Sequence, residues 1–486
     1  MTVPAVTPVP AGSVERVDHE ADVLVIGVGC AGASVAIEAA VAGARVLALE
    51  GAGGPGGSSA LSGGELYLGG GTSVQRACGF DDTAENMLAY LTAALGPHAD
   101  EEKLRLYCEG SVEHFEWLCA QGLEFQESRY DAPSWMPPTT DGLMWLGENA
   151  WPYNTIAHPV PRGHRPKAES FGGWLLMAKL TESTRSSGVD IHTDTRASTL
   201  VVDGDRVVGV LARRYGKQVS YRARRAVVIT TGGFVDNAEM LADHAPRLLG
   251  HGAISGGSDD GSGIRMATAL GASTRRMAAA QVALTALPAM VCRGMLVNAH
   301  GQRFVNEDVY PGMYSMAAVF HQPGPWWAII DEAGYEDIPE RDRWGVRLRF
   351  AAETLAGLEA ELGMPAGALR STVDTYNRFA AVGEDPYFHK DPKWLRPLRS
   401  PFAAVDPRAG FGGGRDTAGT GACGFTLGGL HTTVDGLVLD VSGRPIPGLL
   451  AAGRASSGIH GEGYVSGTSL GDGTFFGRRA GRAAAA

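Results

Sequence analysis

Apolar residues near the start of the chain follow a strand, helix, strand order. Residues 22–26 begin with Asp22 and continue as a short apolar run rich in β-branched residues, as expected of a strand buried in a parallel sheet. Residues 33–42 are Ala-rich and helical in pattern, and Gly43 lies where a C-terminal cap belongs. Residues 45–49, which are apolar after Arg45, form a second strand that ends at Glu50. The pattern predicts a βαβ unit.

The turn between the first strand and the helix has the pattern G-x-G-x-x-G. Gly27 permits a tight turn, Gly29 lets the backbone approach a pyrophosphate, and Gly32 lets helix and strand pack closely. The N–H groups at the start of the helix face the phosphate charge. Glu50 follows at about the 20-residue spacing at which a carboxylate binds ribose hydroxyls, and it would repel the 2′-phosphate of NADP. The unit therefore predicts a dinucleotide site.

Further glycine-rich stretches favour FAD over NAD. Residues 53–64 could wrap an extended dinucleotide, although such Gly/Ser runs are often only linkers. Residues 226–234 and 448–454 resemble strand ends of one sheet that turn onto the cofactor. Residues 467–477 lead into a helix whose positive N-terminus would stabilise charge on the N1–C2=O side of a reduced flavin.

The predicted FAD contacts are Gly27, Gly29, Cys30, Ala31, Gly32, Glu50, Gly57, Ser58, Ser59, Ser62, Gly63, Gly64, Thr231, Gly232, Gly233, Gly453, Arg454, Ser469, Leu470 and Asp472.

Length and composition narrow the class of protein. The 486 residues exceed one ordinary core, so we expect two domains, and the 68 glycines suit a backbone packed closely against a large ligand. The net charge of −11, without a Lys/Arg run, argues against a nucleic-acid partner. The six cysteines contain no C-x-x-C pair and the thirteen histidines no H-x-x-x-H spacing, so we predict no metal.

Cellular location is predicted from the same features. Scattered single cysteines fit a reducing cytoplasm, and the first twenty residues lack the apolar region of a signal peptide. The longest apolar stretch, residues 23–49, is interrupted by glycines and charges and does not span a membrane. We predict a cytoplasmic protein, for which a weak association with membranes stays open.

Taken together, these motifs resemble those of the fumarate reductase/succinate dehydrogenase flavoprotein superfamily. Two further blocks, GQRFVNEDVY at 301–310 and GEGYVSG at 461–467, are similar to those of bacterial 3-ketosteroid dehydrogenases, particularly the 3-ketosteroid Δ4-(5α)-dehydrogenases. The resemblance covers roughly residues 22–480. It implies an α/β fold in which a Rossmann-type FAD-binding domain carries an inserted α+β substrate-capping (catalytic) domain.

The same division is visible in the pattern. We predict a loose leader (1–20), the first part of the FAD-binding domain (21–273), the capping domain (274–424) and the second part of the FAD-binding domain (425–486). Residues 263–272 have the pattern of a closing helix, residues 351–362 are amphipathic, and short strands resume within 427–440.

The resemblance also implies catalytic roles. Tyr464 would donate a hydrogen bond to the C3 carbonyl of a steroid, and Tyr310 would take the C4 proton, with Ser466 relaying or assisting. An ordinary tyrosine has a pKa of about 10, so a Tyr base needs a lowered pKa or a relay. Tyr314 is a rival on the same segment, and the carboxylates of Glu307 and Asp308 are alternative bases.

Two departures from the superfamily pattern matter. Fumarate reductases use an Arg proton donor and a His/Arg clamp for a dicarboxylate, whereas this chain has Tyr310 and Tyr314 in the corresponding block. Some relatives attach FAD covalently through a His in the Gly/Ser-rich segment. Residues 51–71 contain no His, so we predict non-covalent FAD.

Aromatic residues are the remaining candidates for an apolar site. The loop 132–153 either covers an apolar ligand or packs on the domain, and the same holds for Trp326 and Trp327. Its large apolar side chains are Trp135, Met136, Met144, Trp145, Trp151 and Tyr153.

The leading hypothesis is oxidation of a 3-keto-5α-steroid to the 4-ene-3-ketone, with an unknown electron acceptor. The alternatives are Δ1-dehydrogenation of a 3-ketosteroid, reduction of a small enoate as in fumarate or urocanate reductases, and FAD binding without turnover.

Overall fold

The structure is a computed structural model that describes residues 7–284, 287–340, 343, 348–405 and 422–486. Its strands, in chain order, are β1 (Val9–Pro10), β2 (His19–Ile26), β3 (Val46–Leu49), β4 (Leu66–Tyr67), β5 (Gln126–Tyr130), β6 (Asp141–Met144), β7 (Gly163–His164), β8 (Asp190–His192), β9 (Thr195–Asp203), β10 (Arg206–Arg214), β11 (Lys217–Ile229), β12 (Gly252–Ala253), β13 (Thr274–Arg275), β14 (Ala280–Leu284), β15 (Met295–Val297), β16 (Trp327–Asp331), β17 (Leu348–Ala352), β18 (Phe402–Val405), β19 (Ala422–Thr426), β20 (Gly429–Leu430), β21 (Leu437–Leu439) and β22 (Pro445–Ala451).

The α-helices are α1 (Cys30–Val41), α2 (Gly57–Ala60), α3 (Ser73–Ala77), α4 (Ala84–Leu95), α5 (Glu101–Glu109), α6 (Ser111–Ala120), α7 (Tyr153–Ile156), α8 (Gly173–Ser186), α9 (Ala238–His244), α10 (Ser262–Thr268), α11 (Pro288–Val291), α12 (Pro311–His321), α13 (Glu332–Glu336), α14 (Leu355–Leu362), α15 (Ala368–Ala380) and α16 (Thr468–Ala485). None of these described helices is long and apolar enough to cross a bilayer.

The largest sheet joins strands from both ends of the chain. Strand β2 lies between β3 and β11, and all three are parallel. Strand β22 pairs in parallel with β11, in the register Ile229 to Ala451, which confirms that residues 226–234 and 448–454 end strands of one sheet. Because the carboxyl ends of parallel strands meet at one edge, the segments that follow β2, β11 and β22 converge there.

Helix α16 packs unusually closely on α1 through glycines spaced four residues apart. A Cβ atom on Gly477 would lie 2.7 Å from the Ala31 carbonyl oxygen, and one on Gly481 would lie 2.5 Å from that of Val35. Residues four apart share one helix face. The N-terminal and C-terminal segments of the chain are therefore held in direct contact.

A buried ion pair reinforces this helix contact. The guanidinium of Arg478, on α16, donates to the Glu38 carboxylate on α1 at 3.0 Å. Arg482, one turn further along α16, donates to the second oxygen of Glu38 at 2.7 Å. Arg478 also pairs with Glu113 of α6 at 2.7 Å, so removing Glu38 would leave this buried guanidinium with one of its two carboxylate partners.

A separate four-stranded sheet, in the order β15-β16-β18-β17, packs with α14 and α15 around its own apolar core. It lies within the predicted capping domain, and the boundaries 273/274 and 424/425 stay a prediction. Residues 406–421, which that prediction includes, lie outside the described residues. The two passages between the domains pair with each other, since β13 pairs with β20 and β14 with β19.

The start of the chain departs from the expected loose leader. Val9 and Pro10 pair in parallel with Val201 and Val202 of β9, and β2 begins at His19, inside the predicted leader. Pairing of Val9 and Pro10 with the sheet edge satisfies backbone groups that would otherwise be left to water. Residues 1–6 lie outside the described residues.

We predict that Gly32→Ala destabilises the protein. A Cβ atom there would lie 2.0 Å from the Gly27 carbonyl oxygen, so α1 must move away from β2. Such overpacking costs about 1–3 kcal/mol, measurable as a lower midpoint of urea unfolding. Gly54→Ala is the matched control, because a Cβ atom at Gly54 meets nothing within 4 Å. Equal midpoints for the two variants would contradict the close contact.

Candidate active site

A cavity of about 990 Å³ opens at the edge of the main sheet where the parallel strands end. The N-termini of α1 and α16 both border it, and their N-cap residues, Gly29 and Gly467, have no side chain with which to cap the helix. Uncapped helix N-termini present N–H groups and positive potential to an anionic ligand. The volume of the cavity and the positive potential of the two helix N-termini suit a large ligand that carries phosphates.

Most of the predicted cofactor contacts line this cavity. They are Gly27, Gly29, Cys30, Ala31, Glu50, Gly57, Ser58, Ser59, Ser62, Gly63, Thr231, Gly232, Gly453, Arg454, Ser469 and Leu470.

Four predicted contacts do not line the cavity. Gly32 packs beneath Gly27, and Gly64, at φ +85°, packs against the backbone of Gly172. Gly233 lies against the Thr426 hydroxyl. These three glycines shape the walls of the cavity from behind, because each lets a neighbouring segment approach more closely than a side chain would allow.

Asp472 is the fourth, and it faces away from the cavity. Its carboxylate accepts the Ile459 N–H at 3.0 Å, and burial raises its pKa to about 6 although the charge of Lys103 opposes the rise. Lys103, itself buried, donates to the Thr432 hydroxyl at 2.9 Å and the Ser457 carbonyl at 2.7 Å. Asp472 therefore holds the turn before α16 in place.

At the nucleotide end, side chains hold the glycine loop open. Glu50 accepts the backbone N–H groups of Val28, at 2.9 Å, and Ala52, at 2.8 Å, while it borders the cavity. The Ser59 hydroxyl accepts the N–H of Cys30 at 3.2 Å, which ties the Gly/Ser-rich segment to the start of α1. Residues 53–64 are therefore part of the site and not a free linker.

Asp259 is a cavity residue that the sequence did not reveal. Its carboxylate accepts a hydrogen bond from the Arg454 guanidinium and one from the Ser58 hydroxyl, the latter at 3.2 Å. The Nη1 atom of Arg454 and the Thr231 hydroxyl are buried and have no partner among the described residues. Unpartnered polar groups beside a cavity are what a polar ligand would satisfy.

At the opposite end, Tyr310, Tyr464 and Ser466 line the same cavity. Tyr464 stacks on His460, with ring centroids 5.4 Å apart, and meets Phe425 edge-on at 5.3 Å. Tyr310 is the N-cap residue of α12. The three catalytic candidates come from segments about 150 residues apart and are brought together by the fold.

Both tyrosine hydroxyls are neutral donors. Burial raises the pKa of Tyr310 well above its usual value, the nearby Tyr464 adds to the rise, and the adjacent Ser466 hydroxyl opposes it. Burial likewise raises the pKa of Tyr464. The lowered tyrosine pKa expected for a Tyr base is therefore absent, so Tyr310 is suited to pass a proton on and not to keep one as a phenolate.

The structure separates Tyr310 from its rivals. Tyr314 is fully buried in a core beneath the capping sheet and does not line the cavity. Burial alone would raise the pKa of Glu307, but the charges of Arg303, at 2.7 Å, and Lys390, at 3.3 Å, hold it below its usual value. Glu307 is thus an ion-pair partner that fixes the segment leading to Tyr310.

Asp308, the other carboxylate considered as a base, also lies outside the cavity. One of its carboxylate oxygens accepts the Asp391 N–H at 2.9 Å, and burial raises its pKa. It does not line the cavity. The carboxylate bases considered at 307 and 308 therefore have structural partners.

The aromatic loop contributes to the wall only in part. Trp135 and Met136 line the cavity, and Trp135 meets Tyr310 edge-on with centroids 6.0 Å apart. The Arg165 guanidinium donates to the carbonyl oxygens of Pro137 and Thr139 and thereby fixes the loop. The remaining large side chains do not line the cavity, namely Met144, Trp145, Trp151, Tyr153, Trp326 and Trp327.

Two further aromatic residues were not foreseen. Phe171 and Trp174 border the cavity, although these residues are 51% and 58% exposed. Gln281 also lines it, and its side-chain oxygen is buried without a partner among the described residues. No sequence motif marks these positions, because only the folded chain brings them to the site.

This fold and site define a flavoprotein oxidoreductase with a Rossmann-type FAD-binding domain. Residues 22–470 match the family described as the FAD binding domain, so the chain belongs to that family and its cofactor is FAD. The chain is also similar to fumarate reductases at 26% sequence identity.

Three relatives illustrate the similarity. The 3-ketosteroid-Δ4-(5α)-dehydrogenase of Rhodococcus jostii RHA1, solved in complex with 4-androstene-3,17-dione, is 50% identical, with a TM-score of 0.94, and covers 99% of this chain and 100% of its own. The 4-oxocyclohexanecarboxylate 2-dehydrogenase of Sinomonas cyclohexanicum is 29% identical (95% of this chain, 92% of that protein). The cytochrome fumarate reductase of Shewanella frigidimarina is 26% identical (96% and 77%).

The residues present fit FAD. The glycine loop and the start of α1 would hold the pyrophosphate, Glu50 the ribose, and the start of α16 the flavin. The described cavity wall contains no histidine. No described residue of the cavity wall could therefore attach FAD covalently through a histidine side chain.

We predict that denaturation releases the flavin. After acid precipitation of the holoenzyme, all of the visible absorbance of FAD should remain in the supernatant, because no covalent bond holds it. Yellow colour in the washed pellet would contradict non-covalent binding.

Proposed function

We propose that this chain is an FAD-dependent dehydrogenase that introduces the C4–C5 double bond into 3-keto-5α-steroids. The observation that carries the proposal is the convergence of Tyr310, Tyr464 and Ser466 at one end of an aromatic-walled cavity. The relative that is 50% identical over 99% of this chain is named for this activity and supports the same substrate class.

The hydroxyl groups have complementary tasks. Tyr464, which stays protonated because burial raises its pKa, donates a hydrogen bond to the C3 carbonyl and stabilises the enolate-like charge that develops there. Ser466 and Tyr310, which lie side by side, receive the C4 proton and carry it away. Bound FAD supplies the acceptor for the hydride that leaves C5.

The charges around the cavity disfavour a dicarboxylate substrate. Among the described residues, the arginines that line it are Arg196 and Arg454. They form salt bridges with Asp260 and Asp259, respectively. A fumarate-like substrate needs unpaired cations at the reacting end, whereas Tyr310 and Tyr464 present neutral hydroxyls and aromatic surface there.

We predict that Tyr464→Phe and Ser466→Ala each slow anaerobic flavin reduction by steroid about 100-fold or more, since each removes a donor or proton carrier. Stopped-flow absorbance of the flavin measures this rate. Tyr314→Phe is the matched control, because its buried hydroxyl has no partner among the described residues and does not reach the cavity. A loss in Tyr314→Phe equal to that in Tyr464→Phe would contradict the assignment.

We predict that 5α-androstane-3,17-dione bleaches the flavin under anaerobic conditions and yields the 4-ene-3-ketone. The visible spectrum and mass spectrometry of the product measure the two outcomes. Bleaching by the 4-ene-3-ketone alone would instead indicate Δ1-dehydrogenation. Reoxidation of dithionite-reduced enzyme by fumarate or urocanate, with no response to either steroid, would indicate an enoate reductase.

A further inference from the structure

Glu65 is a buried carboxyl at the reacting end of the cavity that the mechanism above does not use. It lines the cavity with only 4% of its surface exposed. Its Oε1 atom is buried and has no hydrogen-bond partner among the described residues. Burying a carboxyl oxygen without a hydrogen-bond partner costs free energy of folding. Such a group is therefore a candidate for a functional role.

Backbone contacts place Glu65 directly behind the catalytic segment. A Cβ atom on Gly467, the residue after Ser466, would lie 3.0 Å from the Glu65 carbonyl oxygen. A Cβ atom on Gly63 would lie 2.2 Å from the Glu65 carboxylate and 2.4 Å from the Met136 methyl group. The absence of a side chain at Gly63 therefore gives the carboxyl its place under the aromatic loop.

The other carboxylates of the cavity are already engaged. Glu50 accepts two backbone N–H groups, Asp259 accepts from Arg454, and Asp260 pairs with Arg196. Among the described residues that line the cavity, Glu65 alone has a buried carboxyl oxygen without a partner.

A proton acceptor beyond the tyrosines is also required by their chemistry. Burial keeps Tyr310 and Tyr464 protonated, so neither can hold the C4 proton as the final acceptor. The groups that face Glu65 are these two tyrosines and Arg165. A charge on Glu65 raises the pKa of both tyrosines, while burial raises the pKa of Glu65 and the Arg165 charge opposes that rise.

We propose that Glu65 is the terminal acceptor of the proton that leaves substrate C4, which reaches it through the hydroxyls of Ser466 and Tyr310. This inference rests on the proposed function. In the step, the C4–H bond breaks, its electron pair becomes the C4–C5 π bond, and bound FAD would supply the acceptor for the hydride from C5. The proton converts the Glu65 carboxylate into a carboxylic acid, so atoms and charge balance.

The test is the pH profile of anaerobic flavin reduction by 5α-androstane-3,17-dione in Glu65→Gln holoenzyme. Glu65 can accept the proton only as a carboxylate. The rate of flavin reduction in the wild type should therefore climb as pH rises through the raised pKa of Glu65. Glu65→Gln keeps the shape but cannot accept a proton, so we expect a rate lower by about 100-fold and no climb with pH. Glu65→Asp should restore part of the rate together with the climb.

Two controls separate this role from a merely structural one. Glu169→Gln removes an exposed carboxylate outside the cavity and should keep the wild-type profile. Bound FAD, measured from the visible spectrum, should be equal in all variants. Other buried acids with a raised pKa, such as Asp472 and Asp308, also contribute infrared carbonyl bands, so the difference between wild type and Glu65→Gln should contain one titrating band, whether or not steroid is present.

Each outcome decides the proposal. A wild-type rate and profile in Glu65→Gln would overturn the role of Glu65 while the proposed function stands. A Glu65→Asp variant that binds FAD fully but shows no pH-dependent climb would also overturn it. If the wild type itself is not reduced by the steroid, the relay falls with the proposed function, and the infrared titration still shows whether Glu65 changes protonation.

Discussion

The close contact between α1 and α16 is the constraint on which the site depends. Gly477 and Gly481 let the two helices approach to backbone distance, and the buried pair of Arg478 and Glu38 fixes their register. Since both helices begin at the cavity, this contact sets the separation of their N-termini. One end of the cofactor site is therefore positioned relative to the other by backbone packing, which is far stiffer than side-chain contact.

The cavity built on this frame has two chemically different ends. At the nucleotide end, backbone N–H groups and paired charges such as Asp259 with Arg454 suit phosphates and hydroxyls. At the other end, burial keeps Tyr310 and Tyr464 neutral among aromatic side chains. A low-dielectric surrounding strengthens hydrogen bonds to a developing oxyanion. The same burial that makes the tyrosines poor bases makes them effective donors.

Local features of the fold could be predicted from the sequence, whereas features that depend on distant neighbours could not. The βαβ unit and its glycines lie within one short segment, so the pattern of apolar residues predicts them. Tyr310 and Tyr314 lie four residues apart and look alike in the sequence, and only the packing of α12 shows which one reaches the cavity. Asp259 and Glu65 belong to no motif, since their partners or neighbours lie far away in the chain. Asp472 does not line the cavity, and no motif marks its partner, the Ile459 N–H.

The pairing of β22 with β11, and of α16 with α1, has a consequence for biosynthesis. A nascent chain that has reached only Pro445 holds the glycine loop but lacks both the last parallel strand and the helix that faces the flavin. The cradle cannot close around FAD during most of translation. The capping sheet meanwhile has its complete set of described strands, β15 to β18, and its own core. The sheet of the inserted domain can therefore form before the FAD cradle is complete.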